Sequence, residues 1–122
     1  MATEQLLSSI TIEAGSDLSS DIYKIVAVAS DGQVDLAGAG VHAQGVLQNN
    51  PDAAGKAATV GIFGVSKVIL GATVAAGAKI MVDASGLAIT ATATNHVIGT
   101  CLAGGAVNEV GEILLGSSSH VL

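Results

Sequence analysis

The chain has 122 residues, 50% of them hydrophobic, and only 14 charged side chains: ten Asp or Glu, four Lys and no Arg. A net charge of -6 argues against nucleic acid and against an anionic membrane surface, because gripping phosphates needs clustered Lys or Arg. The single cysteine, Cys101, excludes an intrachain disulfide framework, and a chain of this length suits one domain that buries roughly 65% of its unfolded surface.

Residues 1–20 read as a polar, Ser-rich N-terminal arm with one short strand at Ser9-Ile10-Thr11-Ile12-Glu13. That patch is either the first strand of the domain or an arm that docks on a partner. The first ten residues hold no positive stretch and include Glu4, so no signal peptide is expected. No apolar run approaches the roughly 18 residues of a membrane span, and synthesis in a cytoplasm follows as the expectation.

Tyr23 to Ala29 and Val34 to Leu36 read as strands joined by Ser30-Asp31-Gly32-Gln33. Ala37-Gly38-Ala39-Gly40 reads as a bend or a tightly packed edge, Gln44 to Gln48 as a short strand, and Asn49-Asn50-Pro51-Asp52 as a turn with the only proline. Thr59 to Phe63 and Val65 to Leu70 are strand-like runs, and a bulge or corner at Gly64 would turn one long ribbon around a barrel. Ala72 to Ala78 is expected to be a loop or one short turn.

The clearest hairpin follows: Lys79-Ile80-Met81-Val82, an Asp83-Ala84-Ser85-Gly86 turn, then Leu87-Ala88-Ile89. A four-residue loop would set Val82 opposite Leu87 and Ile80 opposite Ile89, all on one face. His96 to Ala103 and Gly111 to Leu115 complete the strands, and 117–122 reads as a flexible C-terminal tail. No strong amphipathic helix appears.

Two stretches echo one another. Lys24-Ile25-Val26 matches Lys79-Ile80-Met81, Asp31-Gly32 matches Ser85-Gly86, His42-Ala43-Gln44-Gly45 matches His96-Val97-Ile98-Gly99, and Gly55 matches Gly111. This predicts an internal duplication with half-repeats at about 22–64 and 77–116 inside a domain spanning 21–116. The fold class is all-β: a small β-barrel or β-sandwich, β-tulip-like, of many short strands.

The core must be aliphatic, since 14 Val, 10 Ile and 11 Leu stand beside only two aromatics, Tyr23 and Phe63. Aromatics normally contribute the largest buried areas, so a thin, closely packed core is expected, with some apolar surface covered by other subunits.

No catalytic pattern emerges. His96 and Cys101 lie five apart, opposite in face on one strand, with no basic neighbour to lower the thiol pKa. His42, His96 and His120 show no local metal-ligand spacing, and a structural role is expected for the equivalent His42 and His96. Asp31, Asp52 and Asp83 fall in turns, where Asp belongs for backbone reasons. The glycines at Gly38, Gly40, Gly61 and Gly64 lack the strand-to-helix context of a phosphate loop. No catalytic, metal or cofactor site is expected.

Several motifs carry a family resemblance: Gly45-Val46-Leu47, Ala53-Ala54-Gly55, and Ala58-Thr59-Val60-Gly61-Ile62-Phe63-Gly64-Val65. They continue through Gly71-Ala72 to Ala76-Gly77, the Asp83-Ala84-Ser85-Gly86 turn, Val97-Ile98-Gly99-Thr100-Cys101-Leu102-Ala103 and Gly111-Glu112-Ile113-Leu114-Leu115. In this order, over about residues 20 to 115, the chain resembles the capsid cement, or head decoration, proteins of tailed bacteriophages. The departures are the absence of Arg and a longer Ser-rich N-terminus.

The resemblance implies a β-rich virion protein without enzymatic activity on the outer surface of an expanded capsid. It implies homotrimers between capsomers that staple neighbouring major capsid protein subunits. Leu6, Leu7, Ile10 and Ile12 are the expected capsid contacts, and Phe63 and Val65 the expected contacts between copies. Two other classes stay open: another virion or surface module, such as a fibre base or adhesin-like domain, and a small enzyme or ligand-binding barrel.

Overall fold

A computed structural model describes residues 4–92 and 95–121, the last six as backbone, and among these residues it contains nine strands and no helix. The strands are β1 (Gln5–Glu13), β2 (Ile25–Val28), β3 (Val34–Leu36), β4 (Gly45–Leu47), β5 (Ala57–Ile69), β6 (Lys79–Val82), β7 (Ala88–Thr90), β8 (His96–Ala103) and β9 (Val110–Val121). All their pairings are antiparallel, in one curled sheet ordered β3-β2-β4-β5-β9-β8-β6-β7, with β1 also on β5. The chain is all-β and barrel-like, as its sequence predicts.

Element bounds differ from expectation at both ends. β1 begins at Gln5 and pairs along its length with β5, from Gln5–Val65 to Glu13–Ala57. β9 continues to Val121, through most of the segment expected as a tail; residue 122 lies outside the described residues. The ribbon 57–69 is one strand with its corner at Gly64 (φ 105°), and there β1 carries Leu7 as an extra residue between the Leu6–Gly64 and Ser8–Phe63 pairs. A Cβ on Gly64 would lie 2.5 Å from Gln5 O, so only glycine lets the two strands close here.

The hairpin of β6 and β7 forms one residue out of the expected register: Val82 pairs with Ala88 and Ile80 with Thr90. Asp83 is the cause. Its carboxylate accepts the N–H groups of Ser85 (2.8 Å) and Leu87 (2.9 Å), and its own N–H donates to Leu87 O (2.8 Å). Leu87 therefore closes a five-residue turn and does not open the strand, and Ile89 leaves the face of Ile80 and Val82.

The strand order reads as a palindrome about β5 and β9, and the registers repeat with it. Ile25–Val46 and Val26–Gly45 become Lys79–Thr100 and Ile80–Gly99, each residue 54 positions on. The main chain follows: Tyr23 N–H to Leu47 O becomes Gly77 N–H to Cys101 O, and Leu47 N–H to Lys24 O becomes Cys101 N–H to Ala78 O. Two sequence matches shift, because strand pairing fixes the equivalences. Lys79 stands for Ile25, not for Lys24. Asn108 (φ 67°), not Gly111, stands for Gly55 (φ 86°): Gly55 N–H donates to Ala14 O, and Asn108 N–H to Leu70 O.

Ala14, just after β1, and Leu70, just after β5, thus hold equivalent places, each with a parallel bridge, to Val34 and Ala88 respectively. The structural units span β1–β5 and β5–β9, with β5 common to both, where the sequence suggested 22–64 and 77–116.

Two apolar clusters fill the units. One gathers Ala14, Leu18, Val26, Val34, Leu47, Ala58 and Val60, with Ile12 and Ile62 packed on it. The larger joins Val68, Leu70, Val74, Ile80, Ala88, Cys101, Ile113 and Leu115 to Ile25 and Val46 from the back of the first unit. Ile25 N–H to Gly86 O (2.7 Å), Gly40 N–H to Val82 O (2.9 Å) and Ile69 N–H to Tyr23 O (3.0 Å) stitch the units together. Where the first unit has buried Ile25 and Val46, the second has exposed Lys79 and half-buried Thr100.

Candidate interaction surfaces

The four expected capsid-contact residues on β1 divide. Ile12 pairs with Ala58 and packs on the first cluster. Leu6 lies over Gly61, where a Cβ would come within 2.9 Å of its methyl. Ile10, opposite Val60, is at the rim and 38% exposed, whereas Leu7, the bulged residue, is 73% exposed. Only Leu7 and Ile10 present themselves outward. Phe63, opposite Ser8, is 46% exposed, and Val65 is half-buried between Gln5 of β1 and Leu114 of β9. Leu7 and Phe63 thus flank one irregularity in the β1–β5 ladder.

A polar latch holds the start of this strip, and no sequence pattern announces it. Ser66, fully buried, accepts from Gln48 Nε2 (2.9 Å), and its hydroxyl reaches Lys67 O (2.8 Å) and the Glu4 carboxylate (3.3 Å). Lys67 N–H also points at Glu4 Oε2 (3.4 Å). A buried hydroxyl left alone would cost about 1–3 kcal/mol, so this network fixes where β1 begins.

A second surface arises from topology. At Val60 and Gly61, β5 pairs with β1 and with β4, and at Gly64 and Val65 with β1 and with β9. One edge of β5 can hold only one strand at a time, so β4 and β9 share the edge opposite β1 and part from it at Ile62. The fork leaves a cleft of about 210 Å³ lined by His42, Ala43, Gln44, Gly45, Ile62, Ile98 and Leu115. Its lining holds three large aliphatic side chains and no Lys, Asp or Glu. Gln44 is fixed by accepting Val28 N–H on Oε1 (2.6 Å). Gly45 has no room for a side chain, since a Cβ would run into Gly61 O.

At the rim, the rings of His42 and His96 meet edge to face with centroids 5.5 Å apart, and His96 Nδ1 sits 3.3 Å from Gly40 O. The equivalent histidines thus touch across the two units. The side chain of His120 lies outside the described residues, and no group of three metal-ligating side chains occurs among the described ones. Cys101 is buried in the larger cluster, and burial pushes its thiol pKa up, the reverse of what a nucleophile needs. Asp31 and Asp83 do cap their turns, whereas Asp52 pairs with Lys56 at 3.2 Å on the surface.

No family model matches the chain, and no curated protein matches it. Among solved structures it is similar to the N base of the head fibre protein gp8.5 of bacteriophage phi29, with a TM-score of 0.74 over 93% of this chain and 97% of that one, at 16% identity. The likeness is one of fold.

Proposed function

We propose that the chain is a non-enzymatic structural protein of a phage virion, made in the host cytoplasm and carried on the outer surface of the head. It decorates the expanded capsid as a homotrimer and bridges neighbouring major capsid protein subunits. The fold likeness along nearly the whole chain to a phage head-fibre base carries this reading, and the cement-like motifs support it. On β1, Leu7 and Ile10 contact the capsid, while Leu6 and Ile12 hold the strand in place. Binding that prefers the expanded shell stabilises it by mass action.

Co-sedimentation with expanded, undecorated shells and with unexpanded procapsids tests it. Saturable binding to expanded shells alone, with a raised shell melting temperature, is expected; binding to neither form overturns it. The neighbour's own description as a fibre base favours a second reading, in which the domain anchors a fibre to the head. Shell binding without any gain in shell stability would select that reading.

A further inference from the structure

We infer that the cleft at the fork of β4 and β9 is the seat for Phe63 of a second copy of this chain. The cleft's size argues for a side chain: its 210 Å³ falls below the roughly 300–1,000 Å³ of small-molecule sites. Its chemistry suits an uncharged knob with an apolar body, because Ile62, Ile98 and Leu115 line it beside His42 and Gln44, and no Lys, Asp or Glu does. His42 at the rim can meet an aromatic ring edge to face, as it already meets His96.

The same chain supplies such a knob. Phe63 is its only phenylalanine and stands 46% exposed, in a molecule with one other Trp, Tyr or Phe side chain. An aromatic of this kind usually buries on the order of 150–250 Å² and anchors interfaces by filling a desolvated pocket on the partner. Phe63 does not line its own cleft, so the ring is available to a neighbour. One knob and one cleft per copy, joined head to tail, can close as a ring, of which the proposed trimer is one. The inference deepens the proposed function by naming the partner of Phe63, and it is read in solution, without shells.

Three variants test it by sedimentation equilibrium, with circular dichroism to confirm folding: Phe63→Asp removes the knob, Ala43→Phe fills the cleft, and Leu7→Asp alters only the exposed strip on β1. The wild type is expected to self-associate. Phe63→Asp and Ala43→Phe should each weaken association by at least about tenfold, their equimolar mixture should form heterodimers through its one intact knob and cleft, and Leu7→Asp should associate normally. If Ala43→Phe does not fold, His42→Trp at the exposed rim replaces it. A monomeric wild type, undiminished association of Phe63→Asp, or a mixture that stays monomeric would each overturn the inference. Loss of shell binding in Leu7→Asp, with self-association intact, would separate the capsid contact from this one.

Discussion

At the scale of single residues, the repeat explains which positions tolerate change. Gly45 and its equivalent Gly99 have no space for a side chain: a Cβ would strike Gly61 O in one case and Leu114 O in the other. Gly32, by contrast, has open space and only its positive φ of 82° to protect. Gly32→Ala should cost about 1 kcal/mol, and Gly45→Ala more than about 3 kcal/mol, because the β4–β5 pairing must give way; urea midpoints would show the difference. Tyr23 holds φ 68° where its equivalent is Gly77 at 88°, and a tyrosine does not advertise that conformation in a sequence. It is held by contacts instead: its carbonyl takes Ile69 N–H, and its ring packs on the larger cluster under Lys67. The raised thiol pKa of Cys101 means that the folded state keeps this proton more tightly than the unfolded chain does. Stability should therefore be complete below the ordinary thiol range near about 8.5 and fall as pH rises through it. A Cys101→Ala variant that keeps the same alkaline loss of stability would refute that assignment.

At the scale of elements, β1 is both a structural strand and an exposed strip, and its residues should separate the two roles. Ile12→Ala should destabilise by about 1–3 kcal/mol through lost packing on the first cluster. Leu7→Asp should leave the melting temperature within the equivalent of about 0.5 kcal/mol and reduce binding to expanded shells. Equal destabilisation by the two substitutions would contradict the division. Much of the element map was legible because its signals are local. The β5 corner follows from Gly64 between two apolar runs, β8 from a mostly apolar run holding Val97, Ile98 and Thr100, and the turns from Asp31 and Asp83. The misread register of β6 and β7 came from Leu87, which continues the apolar alternation yet belongs to the turn that Asp83 closes. Residues 5–8 do not read as strand because Gln-Leu-Leu-Ser lacks alternation, and the bulge at Leu7 is the reason. The cleft was not legible at all: it exists only because two strands distant in sequence share one edge of β5.

For the whole molecule, the larger cluster decides how it unfolds. Ile25 and Val46 belong to the first unit by chain order but are buried among residues of the second. Val60→Ala and Ile113→Ala should therefore lower one common calorimetric transition, by roughly 1–3 and 2–5 kcal/mol respectively. Two resolved transitions would show that the units melt separately. The shared strand has a further consequence for how the chain comes into being. Synthesis from the N-terminus delivers β1 to β5 first, so the strand on which β9 must align is in place before β9 leaves the ribosome. The reverse does not hold, because a fragment beginning after β5 lacks the edge that its last strand needs. The molecule has a direction of assembly: residues 1–71 carry the β5 edge that a separately made 72–122 needs, so the two fragments should fold on mixing, whereas 72–122 alone should stay unfolded.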